Sequence, residues 1–208
     1  MMNELLTRYP TLTACADEIA AARDALIACY EAGGKVLLCG NGGSASDSDH
    51  IVGELMKGFL KKRPLSEERK AQMKAASPAL TDETLSKLQV GLPAVSLPSI
   101  AGLNSAFCND VDPELIYAQS VLGLAKAGDI LIALSTSGNA KNVAHAVAVA
   151  KALGVTVIGM TGESGGTLGR EADIAIRVPE RETFKVQELH LPVYHYLCAA
   201  VEEYFFSC

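Results

Sequence analysis

Five short runs, Val36-Leu-Leu-Cys-Gly40, Ala94-Val-Ser-Leu97, Ile130-Leu-Ile-Ala-Leu134, Val155-Thr-Val-Ile-Gly159 and Ile174-Ala-Ile-Arg-Val178, carry apolar residues at consecutive positions. A strand with one wet face alternates apolar and polar residues. A strand apolar on both faces belongs to a parallel sheet covered on both sides by helices. Helical spacing fills the intervals at about 46–60, 113–125 and 140–152, and again at 184–206. This alternation predicts an α/β fold: a doubly wound five-stranded parallel sheet flanked by helices, with ligands at the carboxyl ends of the strands. Residues 3–31 repeat apolar positions at helical spacing and stop at Gly33-Gly34, which predicts a long or broken N-terminal helix.

A chain of 208 residues, 49% hydrophobic, suits one domain over 1–208. Its charged stretch at about 60–90 contains Pro64 and Pro78, with possible helix starts at Ser66 and Thr81. That stretch is expected to be an inserted lid or surface excursion. The longest apolar runs fall far short of the roughly 20 residues that span a bilayer, so no membrane crossing is expected. The amino terminus lacks the basic and apolar regions of a secretory signal, and a cytoplasmic location follows as an expectation. A net charge of −6 without a long Lys/Arg run argues against a nucleic-acid surface. Six scattered cysteines with no C-x-x-C pair are expected to be reduced. An anion bound by such a chain has to be held locally, by backbone N–H groups.

Two turns have the chemistry for that. Gly40-Asn41-Gly42-Gly43-Ser44 follows the first strand and opens a helix, so small residues and free amides meet the positive end of a helix dipole. The G-x-G-x-x-G spacing and the Walker lysine are both absent, which turns the reading away from dinucleotides and nucleoside triphosphates. Simple tight turning would use the same glycines. The third strand ends in Ser135-Thr136-Ser137-Gly138-Asn139, again before a helix. One such residue suffices to cap a helix; four together favour a phosphate seat built from hydroxyls and amides.

The histidines form a second pattern. His50 and Glu54 are four apart on one helix face, and Gln187 and His195 lie within about 80° of each other on the last helix. Such a set can shuttle protons or form the shell of a divalent metal such as zinc. An ordinary solvated His–Glu pair and a core histidine bonded by Gln would leave the same trace. His145, alone after the Ser-rich turn, reads as structural or surface, and Pro192 should kink or weaken the last helix.

Together, Cys39-Gly-Asn-Gly-Gly-Ser44, Ser135-Thr-Ser-Gly-Asn139, Asp49-His-x-x-x-Glu54 and Gln187-Glu-x-His190-x-x-x-x-His195 resemble the sugar isomerase (SIS) domain of the phosphoheptose isomerase family. The resemblance implies a flavodoxin-like five-stranded sheet and a homotetramer with active sites at subunit interfaces. It further implies one zinc per subunit on His50, Glu54, Gln187 and His195, with Glu54 and His195 as acid and base. Ser44, Ser135, Thr136 and Ser137 would hold phosphate, helped by the Gly42, Gly43 and Asn139 backbone, while Asn41, Asn109 and Asp110 would face the sugar. The implied reaction is aldose–ketose isomerisation of a phosphorylated sugar, sedoheptulose 7-phosphate to D-glycero-D-manno-heptose 7-phosphate, through an enediol. The other reading is a non-catalytic SIS-domain sensor or protein-binding adaptor. Three positions depart from the family pattern: Ala140 stands for a serine, the Gly58 region for an arginine, and Phe184 for an aspartate. With the insertion beside them, they leave room for a different sugar phosphate.

Overall fold

A computed structural model describes residues 1–207. The chain begins with α1 (Met2–Arg8), a 3-10 turn (Pro10–Cys15) and α2 (Ala16–Glu31), followed by β1 (Val36–Cys39) and α3 (Gly43–Met56). The predicted N-terminal helix is therefore broken, and the break falls where Pro10 forces Tyr9 out of helical geometry, to φ −131°. The charged stretch at about 60–90 holds α4 (Glu67–Ala76) and α5 (Asp82–Lys87). Ser66 and Thr81 start them as expected, each accepting a bond from the backbone N–H three residues on. Pro64 pairs with Gln89 in an antiparallel bridge at the base of the excursion, and Leu85 within it is buried.

Next come β2 (Ala94–Ser96), α6 (Ala101–Asp110), α7 (Ile116–Leu124), β3 (Ile130–Leu134) and α8 (Lys141–Ala152), then β4 (Thr156–Thr161), α9 (Leu168–Glu171), β5 (Ile174–Arg177) and α10 (Thr183–Phe206). All five strands are parallel, in the order β2-β1-β3-β4-β5. β4 runs two residues beyond the apolar run that predicts it, because Met160 and Thr161 still find partners in Leu134 and Arg177. The α6 helix lies outside the helical intervals the sequence indicates: none of its ten residues is buried, and only Leu103 and Phe107 give it a short half-buried apolar face.

The double-sided apolar runs have a direct counterpart in the packing. Val36 and Leu38 of β1 join the core beneath α2, α3 and α10, while Leu37 and Cys39 join the core beneath α7 and α8. Ile130, Ile132 and Leu134 likewise face one core, with Leu131 and Ala133 in the other. Helical structure continues through Pro192, where the missing N–H removes one ladder bond. Among the described residues no helix is long and apolar enough to cross a membrane. Cys15, Cys29, Cys39, Cys108 and Cys198 are free thiols.

Candidate active site

The glycine-rich turn follows β1 at the carboxyl edge of the sheet. Gly42 caps α3 with φ +56°, the left-handed region that favours glycine, so the helix starts at Gly43, three residues earlier than periodicity indicates. Gly43 also permits a close approach. A Cβ there would run into the side-chain amide of Gln187 on α10. Buried Ser44 lies in the first turn of the helix.

The Ser-rich turn follows β3, and Gly138 is again left-handed at φ +69°, with the backbone of Gly165 packed against it. Ser135 is buried, Thr136 half-buried and Ser137 exposed. Asn139 is taken up internally: its backbone N–H donates to Ser137 Oγ at 3.2 Å, and its side-chain oxygen accepts from Thr167 N at 3.1 Å. Asn139 thus ties this turn to the loop after β4. The two turns are joined by a residue that no motif flags. Asn41 and Asn142 exchange two amide bonds of 2.9 Å, and the Tyr117 hydroxyl donates to Gly40 O at 2.7 Å. Asn41, expected to face the sugar, has its amide engaged in that clasp.

α3 and α10 run side by side, bringing Gly43 against Gln187 and His50 against His195. His50 Nε2 lies 3.3 Å from Glu54 Oε1 and 3.4 Å from His195 Nε2. The Tyr194 hydroxyl lies 3.2 Å from His50 Nδ1 and 3.1 Å from Asp47 Oδ1. Burial, and then His50, lower the His195 pKa, with Glu54 acting the other way. Burial raises the pKa of Asp47, against the Tyr194 hydrogen bond and the charge of His50. His190 belongs to the core, with Nε2 3.3 Å from Thr161 O, Nδ1 without a partner, and a pKa lowered by burial to about 4. His145 is exposed.

One of the departures has a structural reason. A side chain at Gly58 would run into the Lys61 carbonyl, because the chain turns sharply into the insertion there. Lys57 instead supplies the cation beside the carboxylate, its Nζ 3.1 Å from Glu54 Oε2. Phe184 is exposed at the start of α10. Asn109 and Asp110 end α6 and bond to each other at 2.7 Å, and no hydrogen bond joins them to either turn among the described residues. The structure therefore groups His50, Glu54 and His195, sets Gln187 against the first turn, and leaves Asn109 and Asp110 apart. Tyr194, Asp47 and Asn142 escaped the sequence reading because their partners lie on other elements, whereas Lys57 pairs with Glu54 three residues before it, at the end of the same helix.

The donor set can be tested against zinc. Two ligands of a tetrahedral zinc, with bonds of about 2.0–2.1 Å, stand roughly 3.3–3.4 Å apart. His50–Glu54 and His50–His195 have that spacing, so these residues fit two edges of the tetrahedron. Among the described residues no group of three or more His, Cys, Asp or Glu side chains is poised to hold a metal unaided. The fit thus concerns edges and leaves the shell open. A groove of about 330 Å³ passes His195 between α1, Phe59, Leu60 and Tyr196. A second groove, of about 540 Å³, lies between α2 and β5, away from this chemistry.

A five-stranded parallel sheet in this order, with glycine and serine turns at its carboxyl edge, is a doubly wound α/β fold built to take a ligand at that edge. SIS domain signatures match residues 103–200 and 2–95. The chain is 37% identical over 189 residues to the phosphoheptose isomerase of Rhodospirillum rubrum, covering 91% of this chain and 87% of that protein. To the phosphoheptose isomerase of Methylibium petroleiphilum it is 40% identical, covering 88% and 80%. The structure of a phosphoheptose isomerase from Francisella tularensis superposes with a TM-score of 0.77 at 31% identity, over 94% of this chain and 91% of that one. Phosphoheptose isomerase GmhA from Neisseria gonorrhoeae gives 0.76 at 27%, over 97% and 94%. The chain belongs to the phosphoheptose isomerase family of SIS-domain proteins.

Proposed function

We propose that this chain is a sugar-phosphate isomerase that interconverts sedoheptulose 7-phosphate and D-glycero-D-manno-heptose 7-phosphate. The observation that carries the reading is the meeting of His50, Glu54 and His195 from two helices beside a fold whose turns offer amides and hydroxyls to a phosphate. A sensor or adaptor would need the turns and not this group. Ser44, Ser135, Thr136 and Ser137 take the phosphate, with the Gly42–Gly43 amides at the positive end of α3.

The Glu54 carboxylate removes the proton from C1 of the ketose, forming a cis-enediol, and returns it to C2. His195 moves the hydroxyl proton between O1 and O2, so no oxidant or reductant is consumed. Proton carriers of this kind contribute about 10²- to 10⁴-fold each. His50, Glu54, His195 and Gln187 are the residues that would hold zinc, which supplies Lewis-acid polarisation of sugar oxygens.

Eleven residues separate Gly43 from Glu54, about 16 Å of helix axis at 1.5 Å per residue. That separation supports a site completed by a neighbouring subunit in a homotetramer. Exposed Leu60 and Leu191 beside the His195 groove support the same assembly.

The test is incubation with sedoheptulose 7-phosphate in deuterated water. Deuterium should enter next to the carbonyl, the aldose should accumulate, and Glu54→Gln should stop both while phosphate affinity holds. Wild-type exchange in that variant, or no exchange in the wild type, would overturn the assignment.

A further inference from the structure

α3 and α10 meet at three levels, each farther along both helices. Gly43 lies against Gln187, His50 meets His195 at 3.4 Å, and the end of α3 reaches Glu202 through Arg63. Gly43 and His50 are exposed, whereas the Arg63 and Glu202 side chains are buried. α3 ends abruptly at extended Lys57, so its last carbonyls need donors from other segments. Arg63 supplies them: its terminal nitrogens donate to Leu55 O at 2.7 Å and to Glu54 O at 3.2 Å, while its Nε donates to Glu202 Oε1 at 2.8 Å. The Glu202 carboxylate also accepts from the backbone N–H of Phe59 at 2.8 Å and of Leu60 at 2.7 Å. Held there, the Phe59 ring lies against His195, with centroids 5.6 Å apart and planes tilted by 38°. We infer that Arg63 and Glu202 are positioning residues of the candidate site: the guanidinium fixes the backbone of Glu54, and the carboxylate seats Phe59 against His195. The inference rests on the isomerase reading above and deepens it by naming what keeps two proton carriers from separate helices opposite each other.

The surroundings support it. Glu202 follows His195 by seven residues, two turns along the same helix, and Leu55 directly follows Glu54. Clamping Leu55 to Glu202 therefore sets the axial register of the two helices beside the site. A slip of one turn would carry Glu54 about 5.4 Å from its partners. Lys57, 3.1 Å from Glu54 Oε2, is exposed, and a pair of that kind fixes little. A guanidinium is a rigid planar fork of donors, so Arg63 can hold a carboxylate and two carbonyls in one geometry, which a lysine cannot. Its own backbone oxygen accepts from Val90 N at 2.8 Å. The charged stretch that separates Arg63 from Val90 is thus tied at its root to the same anchor.

The test uses Glu202→Gln, which keeps the size and one acceptor oxygen, and Arg63→Lys, which keeps the charge and loses the fork. Each is checked for folding by circular dichroism and studied well below its thermal midpoint. Aromatic-ring NMR of the metal-free full chain reads positions without turnover. In the wild type, the His195 ring should show Overhauser contacts to the Phe59 ring. In both variants those contacts should weaken and the His195 resonances should move, while those of His190, in the core on the same helix, stay in place. With sedoheptulose 7-phosphate, kcat should fall toward the 10²-fold loss that a misplacement of about 1 Å causes, with KM and inorganic phosphate affinity nearly unchanged. Absence of the Phe59–His195 contacts in the wild type would overturn the inference. So would folded variants that keep those contacts and the wild-type kcat, because the pair would then serve stability alone. If the wild type isomerises no sugar phosphate, the proposed function fails, and the ring contacts still decide this point by themselves.

Discussion

Replacing Arg63 with methionine should be among the most damaging single changes to stability, although Arg63 touches no ligand. Its side chain is wholly buried and that of Glu202 is 1% exposed. Arg63 Nε donates to Glu202 Oε1 at 2.8 Å, and its terminal nitrogens donate to Leu55 O at 2.7 Å and Glu54 O at 3.2 Å, the last-turn carbonyls of α3. Glu202 also accepts from the backbone of Phe59, Leu60 and Lys61 at 2.7–3.1 Å. The guanidinium lies 4.6 Å over the Phe206 ring. Methionine would fill much of the volume and remove every donor, leaving a buried carboxylate without its cation and two helix-end carbonyls unpaired. Losing one partner of a buried ion pair costs about 3–5 kcal/mol. A chain of this length loses about 2–4 °C of midpoint per kcal/mol, so the thermal midpoint should fall by roughly 6–20 °C. Calorimetry at neutral pH measures it. The double change with Glu202→Leu should recover only part of the loss, since three backbone N–H groups then lose their acceptor. A loss below about 1 kcal/mol, the scale of exposed pairs, would refute the reasoning.

Further outcomes follow from other contacts. Burial acts to raise the pKa of Glu202, but the Phe59 and Leu60 amides and Arg63 outweigh it and hold the carboxyl below its ordinary value; Lys35 and Lys126 do the same for Asp129. A depressed carboxylate stabilises fully above its unfolded value of about 4. Urea midpoints should therefore hold near neutrality and drop below pH 4, and a midpoint flat to pH 3 would contradict both pairs. His190, lowered to about 4 by burial, should titrate by NMR near that pH. Because the unfolded chain takes up its proton first, near pH 6.5, His190 should cost stability as pH falls from there toward 4; a midpoint at 6 or above would place the ring in water. Asn142→Ala breaks both amide bonds of the clasp and should cost about 1 kcal/mol. It should also weaken inorganic phosphate binding, measured by calorimetric titration, and unchanged phosphate affinity would show that the turns keep their positions without it.

Reading the chain locally succeeds wherever the physics is local. Ser66 and Thr81 announce helix starts because a cap is made within three residues. Gly42 and Gly138 announce left-handed turns because lacking a Cβ is a property of one residue. The strands are legible because burial on two faces leaves few polar positions, such as Ser96, Thr156 and Arg177, to interrupt them. α6 is nearly silent for the converse reason: with no buried residue, its apolar period shrinks to the single i, i+4 pair Leu103 and Phe107. The candidate site divides along the same line. The His50–Glu54 pair is visible as i, i+4, and the serine and glycine turns are visible as strings.

The amino-acid order by itself determined the class of fold, the phosphate-type turns and the candidate proton carriers, since each is written within single elements and in their order along the chain. Only tertiary structure decided that His195 meets His50 across 145 positions, that Tyr194 reaches Asp47 across 147, that Arg63 finds Glu202 across 139, and that Asn41 clasps Asn142 across 101. Those pairings arise when α3 and α10 pack side by side on one face of the sheet and adjacent parallel strands deliver their turns to one edge. Periodicity along one element says which face is buried. It does not say which face of another element will be laid against it.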